Sequence, residues 1–376
     1  MRSQPDGTAC LCRALARPES MTELSPRQWE GTVAAARETS LLGTLWHLAV
    51  LAGIHGQLPT KPAQHLLGGY RLSQHNAEAL RWELQILDQG LLTKLPPAIA
   101  LKGAAYLLAE LPNAPGRVAN DLDLLFPRDQ VEQAESLLFF EGWNTTHHDE
   151  YDQRYYRQWM HELPPLQHHK RGTTLDLHHN ILPETFKVRT DATPLITQAT
   201  SVPGSWRFKT LAPTHLVLHS VVHLFSETEW DRGLRDLYDI HTLVTHFVSQ
   251  QGDSFWSKLL DEAEQLRIGW LLERAIACCQ ARLLTPVPNE AQQHLKAHAL
   301  SKPFQAANRQ LFLHGLNTRN SHTPRTDALA RGLLFLRGHY LKMPLPLLTR
   351  HLFHKAFLAK EPETPQSDDR GPETHG

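Results

Sequence analysis

The chain has 376 residues, of which 41% are hydrophobic and 20% charged, and its formal net charge is −1. That is ordinary material for a globular protein about two domains long, at the usual ~100–200 residues per domain. The charge balance argues against a DNA-coating role, which would need a strongly basic face. No apolar run reaches the ~20 residues of a membrane span or resembles a secretory signal, so a cytoplasmic protein with no membrane span is expected.

Residues 1–22 read as a disordered leader, and Met21 is a candidate start. Residues 23–95 read as a helical region. Trp29, Val33 and Ala36, then Leu41, Leu45, Leu48 and Leu51, recur at helical spacing after Ser25-Pro26, a cap followed by proline at the first helical position. A second helix is predicted over about 61–93. Four cysteines, Cys10, Cys12, Cys278 and Cys279, lack CxxC spacing, which favours packing in a reducing compartment over zinc.

The pattern changes over 96–210, where a small mixed sheet with helices is predicted, making the fold class α+β. A strand over 97–101 leads through Lys102-Gly103 into a helix over 104–111, followed by a loop over 112–120. Then come a strand over 121–126, a helix over 128–141 and a short strand over 143–146. Residues 151–170, rich in Tyr, Trp, His and Pro, suggest an irregular strand pair, and 173–179 alternates as a strand. Residues 211–358 read as a C-terminal helical region, with the pattern clear to about 348, and 359–376 as a disordered tail.

Asp121-Leu122-Asp123 places two carboxylates on one face of a strand and Leu122 and Leu124 on the other. Two such carboxylates repel unless a cation lies between them, and magnesium favours hard oxygen ligands while keeping positions for phosphate. Asp176 and His178 share a face of the later strand in the same way. If the two strands are neighbours, three carboxylates converge as two-metal phosphoryl or nucleotidyl transfer requires. Gly103 would let the backbone approach a triphosphate and the following helix would aim free N–H groups at it, with Lys102 and Arg117 neutralising phosphate oxygens. Each part alone is commonplace: an isolated DxD is usually a solvated edge, and the weight lies in the order of the parts.

Those segments, LKGAAYLLAEL (101–111), GRVANDLDLLF (116–126) and LDLHHNIL (175–182), resemble the uncharacterised bacterial nucleotidyltransferase family of the polymerase-beta-like superfamily, over roughly residues 40–285. The resemblance implies that Asp121 and Asp123 bind metal, that Asp176 completes the triad and that Gly103 belongs to the nucleotide-holding turn. Ala104 departs from the Gly or Ser usual in the superfamily, which leaves backbone N–H groups to contact phosphate. The implied reaction moves an NMP group from an NTP to an acceptor with release of pyrophosphate, using two Mg²⁺ (or Mn²⁺) ions. The acceptor stays open between a small molecule, RNA and protein.

His215, His219 and His223 recur every four residues, the spacing of a helical zinc site, but without HExxH. A polar stripe facing the cleft or buried with partners is the simpler reading, with His178, His219 and His223 as possible cleft contacts. Arg235 and Asp239 are spaced to pair on one helix. Arg337, Lys342, Arg350 and Lys355 alternate with apolar residues, as on a membrane-surface or RNA-contacting helix or, more commonly, the solvated face of a bundle helix. Three rivals to the transferase remain: a catalytically inactive nucleotide- or partner-binding protein on the same fold, a His-rich metal hydrolase, and a helical scaffold.

Overall fold

A computed structural model describes residues 7–146, 149–298, 302–319 and 325–344. The helical N-terminal part comprises α1 (Gly7–Ala16), α2 (Pro26–Glu38), α3 (Leu42–Leu51) and α4 (Thr60–Gln89). Ser25 caps α2 reciprocally: its hydroxyl accepts from the Gln28 N–H, and Gln28 Oε1 accepts from the Ser25 N–H at 2.9 Å. The apolar periodicity over 25–57 breaks at Ser40, whose φ of +59° turns the chain from α2 into α3.

The expected leader is in fact partly helical. Leu11, Ala14 and Leu15 of α1 and Met21 beyond it are buried in the core, with α1 packed against α2. A ten-residue helix has little stability alone, so its order comes from packing, which a short stripe of small residues announces weakly.

The sheet section follows as β1 (Ile99–Ala100), α5 (Lys102–Leu108), β2 (Asp121–Leu125), α6 (Arg128–Phe140), β3 (Trp143–Thr145), α7 (Glu150–Trp159), β4 (Leu166–His168), β5 (Thr174–His178), α8 (Thr193–Thr197), β6 (Thr200–Ser201) and β7 (Lys209–Thr210). The seven strands form one mixed sheet in the order β3-β4-β5-β2-β1-β7-β6, with β2 parallel to β5 and β1 parallel to β7. One expectation fails here. The first half of 151–170 is helix α7, capped by Asp149, whose side chain accepts from the Tyr151 N–H at 3.0 Å; only β4 is a strand. Its aromatic residues look strand-like by composition, yet the rings of Tyr151 and Tyr155 stack one helical turn apart.

Seven helices follow among the described residues: α9 (Pro213–Ser226), α10 (Gly233–Gln251), α11 (Asp253–Gln265), α12 (Gly269–Leu283), α13 (Asn289–Ala297), α14 (Lys302–Gly315) and α15 (Arg325–Lys342). α9 is buried along nearly its whole length, with α10, α11, α12 and α15 packed around it. The basic residues of α15 do not form a solvated stripe. Arg337 donates to the Phe225 carbonyl at 2.8 Å, and Lys342 pairs with Glu227 at 3.4 Å. Arg350, Lys355 and the expected tail lie outside the described residues. Among the described residues no helix is long and apolar enough to cross a membrane, and all four cysteines are buried.

Candidate active site

The pairing of β2 with β5 puts Asp123 directly beside Asp176 and Asp121 beside Thr174. In-register neighbours on parallel strands project to the same side. The alternate residues, Leu122 beside Leu175 and Leu124 beside Leu177, are fully buried in the core. Apolar burial on one face thus fixes the register that brings the carboxylates together on the other.

Asp123 lies at the centre, 1% exposed, and its Oδ1 accepts from Lys102 Nζ at 2.6 Å and from His178 Nε2 at 3.0 Å. One donor atom each from Asp123, Asp176 and His178 lie within 4.8 Å of one another. Asp121 stands two residues along the same strand and is not part of that group. Asp176 Oδ1 is buried with no hydrogen-bond partner. A buried carboxylate oxygen without a donor is costly, and hard oxygens converging beside an ammonium suit a small divalent cation.

The electrostatics carry the same tension. Burial pushes the Asp176 carboxyl up to about 7, with the charges of Asp123 and Glu162 adding to it. Asp121 is also raised, by burial and then by Asp123, against opposition from Lys102 and Arg117. Asp123 moves the other way: burial disfavours its charge, but Lys102 and the His178 hydrogen bond hold it well below the usual carboxylate range. Lys102 is held charged against burial by Asp123, Asp121 and Glu162.

The turn beside these carboxylates works differently from the expectation. The left-handed residue is Lys102, with φ +46°, while Gly103 has no positive φ. A Cβ on Gly103 would fall 2.7 Å from Ala119 Cβ and 2.8 Å from Arg117 Nη1, so glycine is required for close packing rather than for turning. Ala104 is buried behind it. Arg117 is half-buried: its Nε donates to Asp239 Oδ2 at 3.0 Å and its guanidinium lies 5.3 Å from the centre of the Tyr106 ring. Asn113 Nδ2 donates to the other oxygen of Asp239 at 2.9 Å. Arg235, expected on Asp239, instead donates to Asp236 Oδ1 at 2.7 and 2.8 Å. Arg117 reaches Asp239 first because the 112–120 loop crosses α10, a long-range contact that helical spacing does not reveal.

A family model described as uncharacterised nucleotidyltransferase matches residues 25–283, from the cap of α2 to the end of α12. The chain belongs to that family. Membership supports nucleotidyl transfer in general; no curated protein and no solved structure matches the chain.

In this nucleotidyltransferase the histidine stripe of α9 divides. His215 faces Glu262 on α11 at 3.4 Å, away from the carboxylates. His219 and His223 stack with ring centres 6.5 Å apart and feel the charges of Lys102 and Asp123. Burial, helped by Lys102, keeps His223 neutral down to about 4, and burial drives His219 well below its ordinary value. Among the described residues, none of the groups able to hold a metal uses these three histidines. Two residues that sequence reasoning missed do approach the site. His161 and Glu162 lie on the segment after α7, and Glu162 forms a bridge with His178. The only sequence signal was an adjacent His-Glu pair in a segment without periodicity.

Proposed function

We propose that this chain is a metal-dependent transferase that moves a nucleoside monophosphate from an NTP to an acceptor hydroxyl and releases pyrophosphate. The observation that carries the reading is the β2–β5 register, which sets Asp123, the partner of the Lys102 ammonium, beside Asp176 with its unpartnered oxygen. Asp121, Asp123 and Asp176 would hold two Mg²⁺ (or Mn²⁺) ions. The ions would supply positive charge to the triphosphate and to the entering and leaving oxygens.

The chain's own groups do the rest. Lys102 and the backbone at Gly103 and Ala104 orient phosphate oxygens. Arg117 acts through position, holding the first turn of α5 and the 112–120 loop against Asp239. The acceptor oxygen bonds to the α-phosphorus as the bond to the β-phosphate oxygen breaks. Asp176, whose carboxyl is raised to about 7, either ligates metal or takes the hydroxyl proton. His219 and His223, neutral at physiological pH, offer uncharged hydrogen-bonding groups to nucleotide or acceptor. The acceptor class is a small molecule, an RNA or a protein.

Incubation with each α-labelled NTP, Mg²⁺ or Mn²⁺ and cell extract tests this. Label transferred by wild type but not by Asp121→Asn supports the reaction and reveals the acceptor class. Nucleotide bound without any transfer would leave an inactive binder in its place.

A further inference from the structure

On the far side of His178 from the carboxylate pair lies a second group of converging donors. We propose that His161, Glu162 and His178 form a separate, nitrogen-rich cation site, suited to zinc or a similar borderline transition metal. One donor atom from each residue lies within 4.8 Å of the other two. This inference does not depend on the nucleotidyl-transfer reading.

The backbone builds the site rigidly. Segment 161–163 is pinned to β5: the Leu163 N–H donates to the Leu177 carbonyl at 2.8 Å, and the His179 N–H donates to the His161 carbonyl at 2.8 Å. His161 and Glu162 therefore meet His178 without depending on a mobile loop. Asp123 Oδ1 lies 3.0 Å from His178 Nε2, so that nitrogen is committed to the carboxylate. Nδ1 is left facing Glu162, buried and without a hydrogen bond. A carboxylate that fixes one imidazole nitrogen while the other faces outward is the usual support of a metal-ligating histidine.

The distances favour a cation over direct hydrogen bonds. Glu162 Oε2 lies 3.4 Å from His178 Nδ1 and 3.8 Å from His161 Nε2. Good hydrogen bonds to a carboxylate would be about 2.7–2.9 Å. Ligands about 2.0–2.1 Å from a tetrahedral zinc are about 3.3 Å apart. The two-histidine, one-carboxylate set also suits zinc better than magnesium, which prefers oxygen alone. His161 and Glu162 are partly exposed, with side chains 17% and 19% accessible, which gives an ion a way in.

Among the described residues, the other three-residue group outside the carboxylate site has the opposite character. Glu264 Oε1 is shared by His294 Nε2, at 3.1 Å, and by His298 in direct contact, on an open surface between α11 and α13. Those are hydrogen bonds, with no room for an ion between the donors.

Chelator-stripped full-length protein is titrated with Zn²⁺ by calorimetry, and Co²⁺ absorption reports coordination number. Asp176→Asn weakens the carboxylate site while leaving this one intact. In that background, one equivalent of Zn²⁺ is expected, with the visible absorption of four- or five-coordinate Co²⁺. Adding Glu162→Gln or His161→Ala is expected to lower affinity about 100-fold or more, beyond the 10–100-fold typical of losing an outer partner. Glu162→Gln is nearly isosteric and guards against misfolding of the alanine variant. Zinc uptake unchanged by both substitutions, or absent from the Asp176→Asn protein, overturns the site. A proton alone between His178 and Glu162 would give that second outcome. Zinc bound as expected but no labelled product from any NTP would reject the transferase and leave this site standing.

Discussion

Asp176→Asn offers a test of the carboxylate cluster that needs no knowledge of the acceptor. In metal-free protein the Asp176 carboxyl is raised from its ordinary 3.8 to about 7, chiefly by burial and then by Asp123 and Glu162. Between those values the native state holds a proton that the unfolded chain has released, so this residue lowers stability as pH rises. The loss is complete above about 7. The displacement corresponds to at most about 4 kcal/mol, at roughly 1.4 kcal/mol for each pH unit. Asparagine cannot ionise and keeps the shape. Urea unfolding of metal-free wild type and variant, followed by tryptophan fluorescence, should show nearly equal stability near pH 3 and a variant more stable by a few kcal/mol at pH 8. Comparing the two proteins at each pH cancels the other titrating groups, including His219 and His223. Mg²⁺ at about 100 times Kd should narrow the pH 8 difference, because binding contributes about 2.7 kcal/mol to wild type and less to the variant. An equal stability difference at both pH values, or a variant weaker at pH 8, would refute the crowding of buried carboxylates.

Asp123→Ala should cost about 3–5 kcal/mol in denaturant melts, because it leaves the Lys102 ammonium buried beside an emptied position. Asp121→Asn, at a residue outside the central group, should cost much less, and equal losses would contradict the assignment of Asp123 as the electrostatic hub. Gly103→Ala should lower stability by about 1–3 kcal/mol through overpacking against Ala119 and Arg117, and a neutral result in a thermal melt would rule out that close approach. Arg117→Ala should destabilise by about 3–5 kcal/mol, since Asp239 would lose its charge partner. A raised KM for NTP with unchanged melting would instead make Arg117 a direct phosphate ligand.

The central geometry was legible because it rests on a local rule. Alternation in Asp121-Leu122-Asp123 and in Leu175-Asp176-Leu177 fixes which side each residue faces, and leucine burial leaves one register in which both strands fill the core. The helices over 61–93 and 128–141 were legible for a similar reason, as long periodic stretches with few breakers. What stayed hidden depends on contacts between distant segments. Arg117 is claimed by Asp239 on α10, so its proximity in sequence to Asp121 misrepresents its partner. The left-handed turn falls on Lys102, one residue before the glycine that Ala119 and Arg117 crowd. α1 is too short to reveal itself without the core that orders it. His161 and Glu162 gain meaning only when the bridge to His178 sets them beside the carboxylates.

The most direct test is calorimetric titration of metal-free protein with Mn²⁺ in the presence of a non-hydrolysable NTP analogue, comparing wild type with Asp121→Asn and Asp176→Asn. Strong, mutually dependent uptake of ion and nucleotide by wild type, weakened at least about tenfold in both variants, is the expected result. Nucleotide binding that ignores manganese and both substitutions would contradict a site built on cations shared between β2 and β5.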